Sequence, residues 1–238
     1  MTNGIFAFAG RVIVNILAID TSDRVLSVAL SVENAGWYME IDDGSRHSEL
    51  LMDCIETLFK TADFKPSRLN SVVCMKGPGS FTGLRIGFSA AKGLAAALGL
   101  PVYSIPTLDC LAHHLAFWPG IVIPSIDAKK NCFFSALYRD GKPLTAYLDA
   151  SPEELAAEIL NISSPSESII LTGGGAEMLK TQISPHISGK IPIIDPEFNR
   201  GRARELIKIT NNVNIVLENS IDSGPAYFRK SDAELNCQ

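Results

Sequence analysis

Residues 16–22 read Ile-Leu-Ala-Ile-Asp-Thr-Ser, an apolar run that ends in an aspartate followed by two hydroxyl residues. A short apolar run closed by polar residues is typical of a buried strand in an α/β sheet. A second run of this kind, Ile121 to Asp127, also ends in an aspartate. Two such strands in one chain indicate that the sequence contains a duplicated unit.

The elements predicted around the two runs follow the same order. The first part has three strands, a helix, a strand, a second helix and a last strand: Val12 to Asp20, Val25 to Glu33, Trp37 to Ile41, His47 to Lys60, Ser71 to Met75, Leu84 to Leu98 and Val102 to Ile105. The second part has three strands, a capped helix, a strand and a glycine run followed by a helix: Ile121 to Asp127, Cys132 to Tyr138, Leu144 to Leu148, Ser151 onward, Ile169 to Thr172 and Gly173 to Gly175, with one more helix after about residue 205.

The register repeats as well as the order. Ile19-Asp20 corresponds to Ile126-Asp127, and Ala29-Leu30 corresponds to Ala136-Leu137, at the same offset of 107 residues. The sequence therefore predicts two tandem α/β domains of ribonuclease-H-like or actin-like topology, each ordered βββαβα. The predicted boundaries are an extension at 1–11, an N-terminal domain at 12–118, a C-terminal domain at 119–230 and a tail at 231–238.

Composition limits the classes of function. With 238 residues, 46% of them apolar, the chain can bury a sizeable core. A net charge of −5 argues against unaided binding to nucleic acid. The five cysteines form no CxxC pair, which favours free thiols in a reducing compartment. No apolar run is long enough to span a bilayer, and the mildly apolar start lacks the basic flank of a secretory signal, so we expect a cytoplasmic protein without membrane segments.

A cleft between the halves is the first candidate site. Aspartates at the ends of equivalent strands could face phosphates or Mg²⁺, and a glycine run could let backbone amides approach a nucleotide. These residues equally fit local turns and a tight connection. A two-metal nuclease is disfavoured because Ser71 to Met75 offers no carboxylate. The candidate phosphate or nucleotide residues are Asp20, Thr21, Ser22, Asp127, Gly173, Gly174 and Gly175.

The most distinctive segment is Gly77-Pro-Gly-Ser-Phe-Thr-Gly-Leu-Arg-Ile-Gly87, which links a strand to a helix. It lacks the Gly-Lys-Ser/Thr ending of a P-loop, the spacing of GxGxxG and the pattern of a GxSxG elbow. An anion site at the helix N-terminus and a purely structural turn both fit it. The residues singled out in this loop are Gly77, Pro78, Gly79, Ser80, Phe81, Thr82, Gly83, Arg85 and Gly87.

Metal and nucleophile chemistry have little support. The four histidines, at 47, 113, 114 and 186, form neither HxxxH nor HExxH, so we assign no metal site and no catalytic residue. Arg200, Arg202 and Arg204 form a small basic cluster, which fits a solvated face or a contact with RNA or a nucleotide.

The predicted helix Leu84 to Leu98 is apolar nearly all round, with only Arg85, Ser89 and Lys92 strongly polar. Such a helix is normally buried on all sides. Either a partner protein or the second domain must therefore cover the side that does not face its own sheet.

These motifs resemble the TsaB (YeaZ) family. The resemblance rests on Ile16 to Ser22, His47-Ser-Glu49 and above all Gly77 to Gly87, and it extends to Pro225-Ala-Tyr-Phe-Arg229, where Phe228 replaces the family's leucine. It covers nearly all of residues 12–230. Members of this family look like inactive relatives of the catalytic subunit TsaD. TsaD carries a metal-binding HxxxH motif, which this sequence lacks. Older labels call the family glycoproteases of peptidase family M22.

The resemblance implies a function in forming N6-threonylcarbamoyladenosine in tRNA, as a non-catalytic scaffold or activator that pairs with TsaD. The ATPase TsaE joins that pair, and tRNA is met through the complex. No cofactor is required by the chain itself, while ATP or ADP belongs to the complex. The alternatives are a free-standing actin-like ATPase or kinase and an M22-type peptidase, and self-association through the same helices is compatible with the leading reading.

The resemblance also implies that TsaD contacts the two N-domain helices, here roughly 47–60 and 84–98. The residues assigned to this interface are Leu51, Cys54, Ile55, Leu58, Gly87, Ala90, Ala91, Leu94 and Leu98.

Overall fold

A computed structural model describes residues 15–33, 35–44, 46–187, 189–211 and 220–226. The predicted extension 1–11, the predicted tail 231–238 and the end of the Pro225 to Arg229 motif lie outside the described residues.

The first half of the chain forms a five-stranded sheet with two helices on one face. Its elements are β1 (Ile16–Asp20), β2 (Val25–Val32), β3 (Ala35–Asp42), α1 (His47–Thr61), β4 (Ser71–Gly77), α2 (Phe81–Leu98) and β5 (Val102–Pro106), with a short 3-10 turn at Pro66–Arg68. The strand order is β3-β2-β1-β4-β5. β1, β2 and β3 form an antiparallel meander, and β4 and β5 run parallel to β1.

The second half repeats this arrangement after a linking helix. Its elements are α3 (Thr107–His113), β6 (Gly120–Asp127), β7 (Phe133–Ser135), β8 (Tyr138–Arg139), β9 (Lys142–Pro143), β10 (Leu148–Ala150), α4 (Pro152–Ile162), β11 (Ser168–Thr172), α5 (Ala176–Ile183), β12 (Ile193–Ile194) and α6 (Ala203–Thr210). The main strand order is β10-β7-β6-β11-β12, with β8 and β9 attached beside β6. Both sheets therefore follow one ribonuclease-H-like topology, and the predicted duplicated α/β fold is confirmed.

Several predicted boundaries were wrong. The single strand expected at Cys132 to Tyr138 is interrupted between β7 and β8, and the third strand is Leu148–Ala150 rather than Leu144 to Leu148. α2 begins three residues earlier than predicted because the Ser80 side chain accepts a hydrogen bond from the Gly83 amide and caps the helix.

The predicted start of α4 is correct in detail. Ser151 accepts a hydrogen bond from the Glu154 amide, and the Glu154 carboxylate accepts one from the Ser151 amide. This capping box satisfies two amides that a helix start leaves without intrahelical partners.

α3 was not predicted, and it explains how the halves join. β1 alternates its buried side chains, with Leu17 and Ile19 packing beneath α1 and α2, and Ile16 and Ala18 in a cluster with α6. α3 packs on β6 of the second sheet. α6 from the second half thus covers one face of the first sheet, and α3, which follows the first half in sequence, packs on the second sheet.

Candidate functional site

A cleft with a volume of about 880 Å³ lies where β1, β4, β6 and β11 end. Four of the predicted phosphate or nucleotide residues line it: Asp20, Ser22, Asp127 and Gly174. The other three, Thr21, Gly173 and Gly175, are buried behind its wall. The structure therefore brings the two strand ends together as the repeat predicted, and the contacts of each residue decide what the cleft can do.

Asp20 holds its own half to the second half. Its Oδ1 accepts hydrogen bonds from the amide and hydroxyl of Ser22, at 3.0 and 2.7 Å. Its Oδ2 accepts one from the backbone amide of Arg202, just before α6, at 2.9 Å. The carboxyl is almost fully buried, and burial raises the pKa of Asp20. Three donors already surround this carboxylate, one of them the backbone just before α6, which favours the local-turn interpretation over a magnesium ligand.

The Asp127 carboxylate, in contrast, is bonded to a residue of its own turn. Its oxygens accept from the amide and the ammonium group of Lys129, at 2.7 and 2.6 Å. Burial opposes ionisation of Asp127, but these bonds outweigh it and lower its pKa. Lys129, Lys130 and Asn131 all have positive φ angles, of 62°, 55° and 59°, so the strand-end aspartate starts a tight left-handed turn at the cleft rim.

The glycine-rich loop packs closely against Thr21 and Ser22, the residues that follow β1. A Cβ at Gly79 would lie 2.5 Å from the Ser22 carbonyl oxygen, one at Gly87 would lie 2.5 Å from the Thr21 hydroxyl, and one at Gly83 would lie closer still to the Thr21 carbonyl. Thr21 Oγ1 donates to the Gly83 carbonyl at 2.7 Å. These contacts require glycine for packing, which favours the structural interpretation of the loop.

The remaining residues of the glycine-rich loop have different roles: one caps a helix, others are buried and others lie on the surface. Ser80 caps α2, Pro78 is buried, and Thr82 is exposed. The Arg85 guanidinium lies 3.8 Å from the centre of the Phe81 ring. Gly77 has a φ of 107°, and a Cβ there would lie 2.6 Å from the carbonyl of Ala226, which places the start of the C-terminal motif against the loop.

The second glycine run also packs tightly against protein atoms. Gly173 has a φ of 88°, and a Cβ there would lie 2.6 Å from the Ser125 carbonyl, which accepts the Gly175 amide at 2.9 Å. A Cβ at Gly174 would overlap the carboxylate of Asp23, which belongs to the first half. The run therefore closes a contact between the halves, and the tight-connection interpretation fits it better than a nucleotide cradle.

The charges around the cleft are balanced. Five acidic residues and four basic residues line it: Asp20, Asp23, Asp42, Asp127, Glu177, Arg24, Lys129, Arg200 and Arg202. Arg24 pairs with Asp42 at 2.6 Å, and Arg200 pairs with Glu40 beside the cleft at 2.5 Å. A triphosphate would meet no excess of positive charge here, so the geometry disfavours the ATPase or kinase alternative.

Arg202 centres a buried polar network that sequence reasoning missed. One terminal nitrogen of its guanidinium donates to Thr172 Oγ1 and Asp195 Oδ2, both at 3.3 Å, and to the Glu197 carbonyl at 2.6 Å. His114 Nε2 lies 2.7 Å from the same Asp195 oxygen. The only sequence signal was the cluster of arginines at 200–204, and the guanidinium partners of Arg202, between 5 and 30 residues away, follow no spacing that a sequence pattern marks.

The other two arginines of that cluster also serve intramolecular contacts. Arg200 pairs with Glu40, and the Arg204 guanidinium lies 4.2 Å from the centre of the Tyr38 ring. Because all three arginines are engaged with groups of the chain itself, the structure does not favour the RNA-contact interpretation of this cluster.

Acid should remove the stability that the buried carboxylates Asp195 and Glu205 contribute. Burial opposes ionisation of Asp195 and Glu205, but bonds from His114 and His113 respectively, with other donors, outweigh it and lower both pKa values to about 2. Each of these carboxyls has a lower pKa in the folded chain than in the unfolded chain, so its ionised form stabilises the folded state. This contribution to the free energy of unfolding is complete above about pH 5 and is lost as the pH falls toward 2. Urea unfolding at pH 7, 4 and 3 should show a loss of about 1–2 kcal/mol per carboxylate by pH 3, and Glu205→Gln should flatten the profile. A profile that is unchanged in this variant would contradict the assignment.

A second candidate surface is the outer face of α1 and α2. A groove with a volume of about 500 Å³ runs between them. Its lining is mainly apolar with one charged side chain: Ser48, Leu51, Met52, Phe81, Thr82, Arg85, Ile86, Ser89 and Ala90. The Met52 side chain is 49% exposed there. Further along α2, Gly93 has no atom within 4 Å of the position its Cβ would take.

The structure changes which residues can form a partner interface on these helices. Six of the nine residues predicted for it are buried in the core beneath the helices: Leu51, Cys54, Ile55, Leu58, Gly87 and Ala91. The other three, Ala90, Leu94 and Leu98, are half-buried. Helical periodicity could not tell the inner from the outer apolar stripe of α2. The inner stripe meets its own sheet, and the outer face carries small side chains.

Metal-binding clusters and membrane-spanning helices are both absent from the described residues. No group of three or more His, Cys, Asp or Glu side chains there is placed to hold a metal ion. Cys54, Cys74, Cys110 and Cys132 are free thiols. Within the described ranges, no helix combines the length and apolarity needed to cross a bilayer.

Comparisons with known proteins give one consistent result. The family profile described as TsaD, tRNA N6-adenosine threonylcarbamoyltransferase, matches residues 43–171. A Bacillus subtilis protein described as tRNA threonylcarbamoyladenosine biosynthesis protein TsaB is 30% identical over 175 residues, which cover 73% of this chain and 76% of the relative. An Escherichia coli K12 protein with the same description is 33% identical over 129 residues, covering 52% of this chain and 54% of the relative.

A solved structure shares the fold. It is described as an uncharacterized protein with similarity to peptidase YEAZ from Pseudomonas aeruginosa, and it superposes with a TM-score of 0.75 at 22% identity, covering 91% of this chain and 100% of that one. A second Pseudomonas aeruginosa structure, described as YeaZ, gives a TM-score of 0.74 at 22% identity, covering 90% and 100%.

Proposed function

Because this chain belongs to the TsaB (YeaZ) family, we propose that it acts in the cytoplasm as a non-catalytic subunit in the biosynthesis of threonylcarbamoyladenosine in tRNA. Its role is to pair with a TsaD-like catalytic subunit through the outer face of α1 and α2. A TsaE-like ATPase and tRNA join through that pair, and any ATP or ADP is handled by the complex.

The outer face of α2 is the observation that carries this proposal. Glycine inside a helix costs up to about 1 kcal/mol relative to alanine, and Gly93 receives no packing contact within the chain in return. Ala90, about one turn earlier on α2, lines the apolar groove together with the half-buried Ile86 and the exposed Met52. Small side chains next to an apolar groove allow another helix to approach closely, which favours an interface over a solvated surface.

The contacts in the cleft support a non-catalytic role. Asp20 accepts the Arg202 amide just before α6, Asp127 closes a turn with Lys129, and both glycine runs are packed against other atoms of the chain. A kinase or ATPase needs such groups free to meet phosphate and Mg²⁺. A peptidase needs a nucleophile with an oriented base or a metal, and the described residues offer no cluster for a metal.

Co-purification with the TsaD of the same organism, followed by a threonylcarbamoylation assay with and without this chain, tests the proposal. We expect a stable complex and loss of activity when the chain is omitted. ATP hydrolysis by the chain alone, with no complex and no dependence, would instead support the kinase-like alternative.

Charge placed on the outer face should break the pair. Met52→Glu and Ala90→Glu should each weaken binding to TsaD at least 100-fold, or about 2.7 kcal/mol, because an unpaired carboxylate would be desolvated in an apolar contact. Leu160→Glu is the matched control, since Leu160 on α4 is 46% exposed and lies away from the groove. Calorimetric titration of TsaD into each folded variant measures the effect. Equal affinities for all three variants would place the interface elsewhere.

The same titration identifies self-association. If the outer face also pairs with a second copy, sedimentation of the chain alone should show a dimer that Met52→Glu dissociates and Leu160→Glu does not.

A further inference from the structure

The segment Asp195 to Arg204, which we call the clasp, bridges the two halves beside the cleft. On the side of the first half, the Gly201 carbonyl accepts a hydrogen bond from Tyr38 Oη at 2.9 Å, and its amide donates to Glu40 at 3.3 Å. The next two amides, of Arg202 and Ala203, donate to Asp20 at 2.9 Å and to Ser27 Oγ at 3.1 Å. Three consecutive amides of the clasp are thus bonded to strands of the first sheet.

The other end of the clasp is fixed to the second half. The Asp195 amide donates to the Leu171 carbonyl at 2.9 Å, and its carboxylate accepts from Thr172 Oγ1 at 2.7 Å. His114, at the end of α3, joins the same carboxylate. The buried Arg202 therefore has its backbone on the first sheet and its guanidinium in the second.

A second contact between the halves lines the same cleft. Gly174 packs so closely on the Asp23 side chain that a Cβ at Gly174 would overlap the carboxylate, with Asp23 Cγ only 2.9 Å away. Rotation of one half against the other would have to break the clasp hydrogen bonds and shift this contact. Hinge closure in two-domain proteins needs a few connecting residues that absorb the motion, and both connections here are bonded to the body of the protein.

We infer that the two halves do not move against each other at the cleft, so that the chain acts as one rigid body. It therefore holds the outer face of α1 and α2 at a constant angle to the second half throughout the reaction of the complex. This inference rests on the proposed function for its role in the complex. Whether the cleft closes is a property of the isolated chain, so it can be tested independently of the proposed function.

A reversible cross-link across the cleft provides the test. In Asp23→Cys/Gly174→Cys, the close approach of the two positions is compatible with the Cβ separation of about 3.5–4.5 Å that a disulfide requires. We expect the bond to form quantitatively on mild oxidation and the radius of gyration to stay unchanged between the oxidised and reduced forms. The rate of threonylcarbamoylation by the complex should differ less than twofold between the two forms. Asp23→Cys alone, oxidised in the same way, controls for pairing with native thiols.

Activity that falls more than tenfold on oxidation and returns on reduction would overturn the inference, and so would failure of the disulfide to form. The isolated chain offers an independent measurement. The amides of Gly201, Arg202 and Ala203 should exchange with solvent on the order of 1,000-fold more slowly than in an unstructured peptide, with or without Mg-ATP. Fast exchange, or a change with nucleotide, would show a moving cleft even if the wild-type chain did not bind TsaD. The loss of that complex would count only against the proposed function.

Discussion

Replacing Gly83 by alanine should destabilise the protein by about 3 kcal/mol, although alanine is the better helix former. Gly83 lies in the first turn of α2, and its Cβ would press into the carbonyl oxygen of Thr21. That oxygen belongs to the backbone, directly after β1, so it cannot rotate away as a flexible side chain would. Relief would require α2 to move off the sheet, and the core beneath Leu84 and Phe88 would open.

Gly93→Ala in the same helix is the matched control. Its Cβ would enter open space, and we expect the isolated chain to gain about 0.5–1 kcal/mol from the better helix propensity. Urea unfolding of the wild type and both variants measures the difference in the free energy of unfolding. If both substitutions shifted stability in the same direction, packing of the loop against Thr21 would not be the reason for glycine at position 83.

Loss of the buried arginine should have a comparable effect. Arg202→Met keeps most of the side-chain volume but leaves Asp195 buried without its guanidinium partner, and removing one member of a buried pair typically costs about 3–5 kcal/mol. The backbone hydrogen bond from the Arg202 amide to Asp20 would remain, so the loss would report the side-chain network alone.

Arg204→Met, two residues away, is the appropriate comparison. Arg204 is exposed and stacks on Tyr38, a contact worth about 0.5–1 kcal/mol at such a site. Thermal and urea unfolding should therefore separate the two variants by at least about 2 kcal/mol. Equal losses would mean that the Asp195 network contributes no more than a surface contact.

The strands and most helices could be predicted because their signals are local. The runs ending at Asp20 and Asp127 are short, apolar and closed by polar residues, and Ser151 with Glu154 forms a cap whose partners are three residues apart. α3 was missed because it has seven residues and no side-chain cap. Its apolar residues, such as Leu108 and Leu111, find their partners on a sheet formed later in the chain.

The candidate site was predictable in position but not in role. The repeat correctly indicated that Asp20 and Asp127 would face one cleft. What Asp20 does there depends on Arg202, 182 residues away in sequence, and no pattern in the sequence marks that contact. The glycines of the 77–87 loop were likewise compatible with an anion site until the position of the Thr21 carbonyl was known. Long-range contacts with the backbone decide between these interpretations.

The exchange of α3 and α6 between the halves also governs how the chain can be made. One face of the first sheet, including Ile16 and Ala18, is covered by α6, which is synthesised about a hundred residues after β5. At the usual rate of about 5–20 residues per second, that face stays uncovered for roughly 5–20 seconds on the ribosome. A fragment ending before β6 would keep it exposed permanently. The first half can therefore complete its folded interior only after α6 has been synthesised, although the two halves are alike in topology.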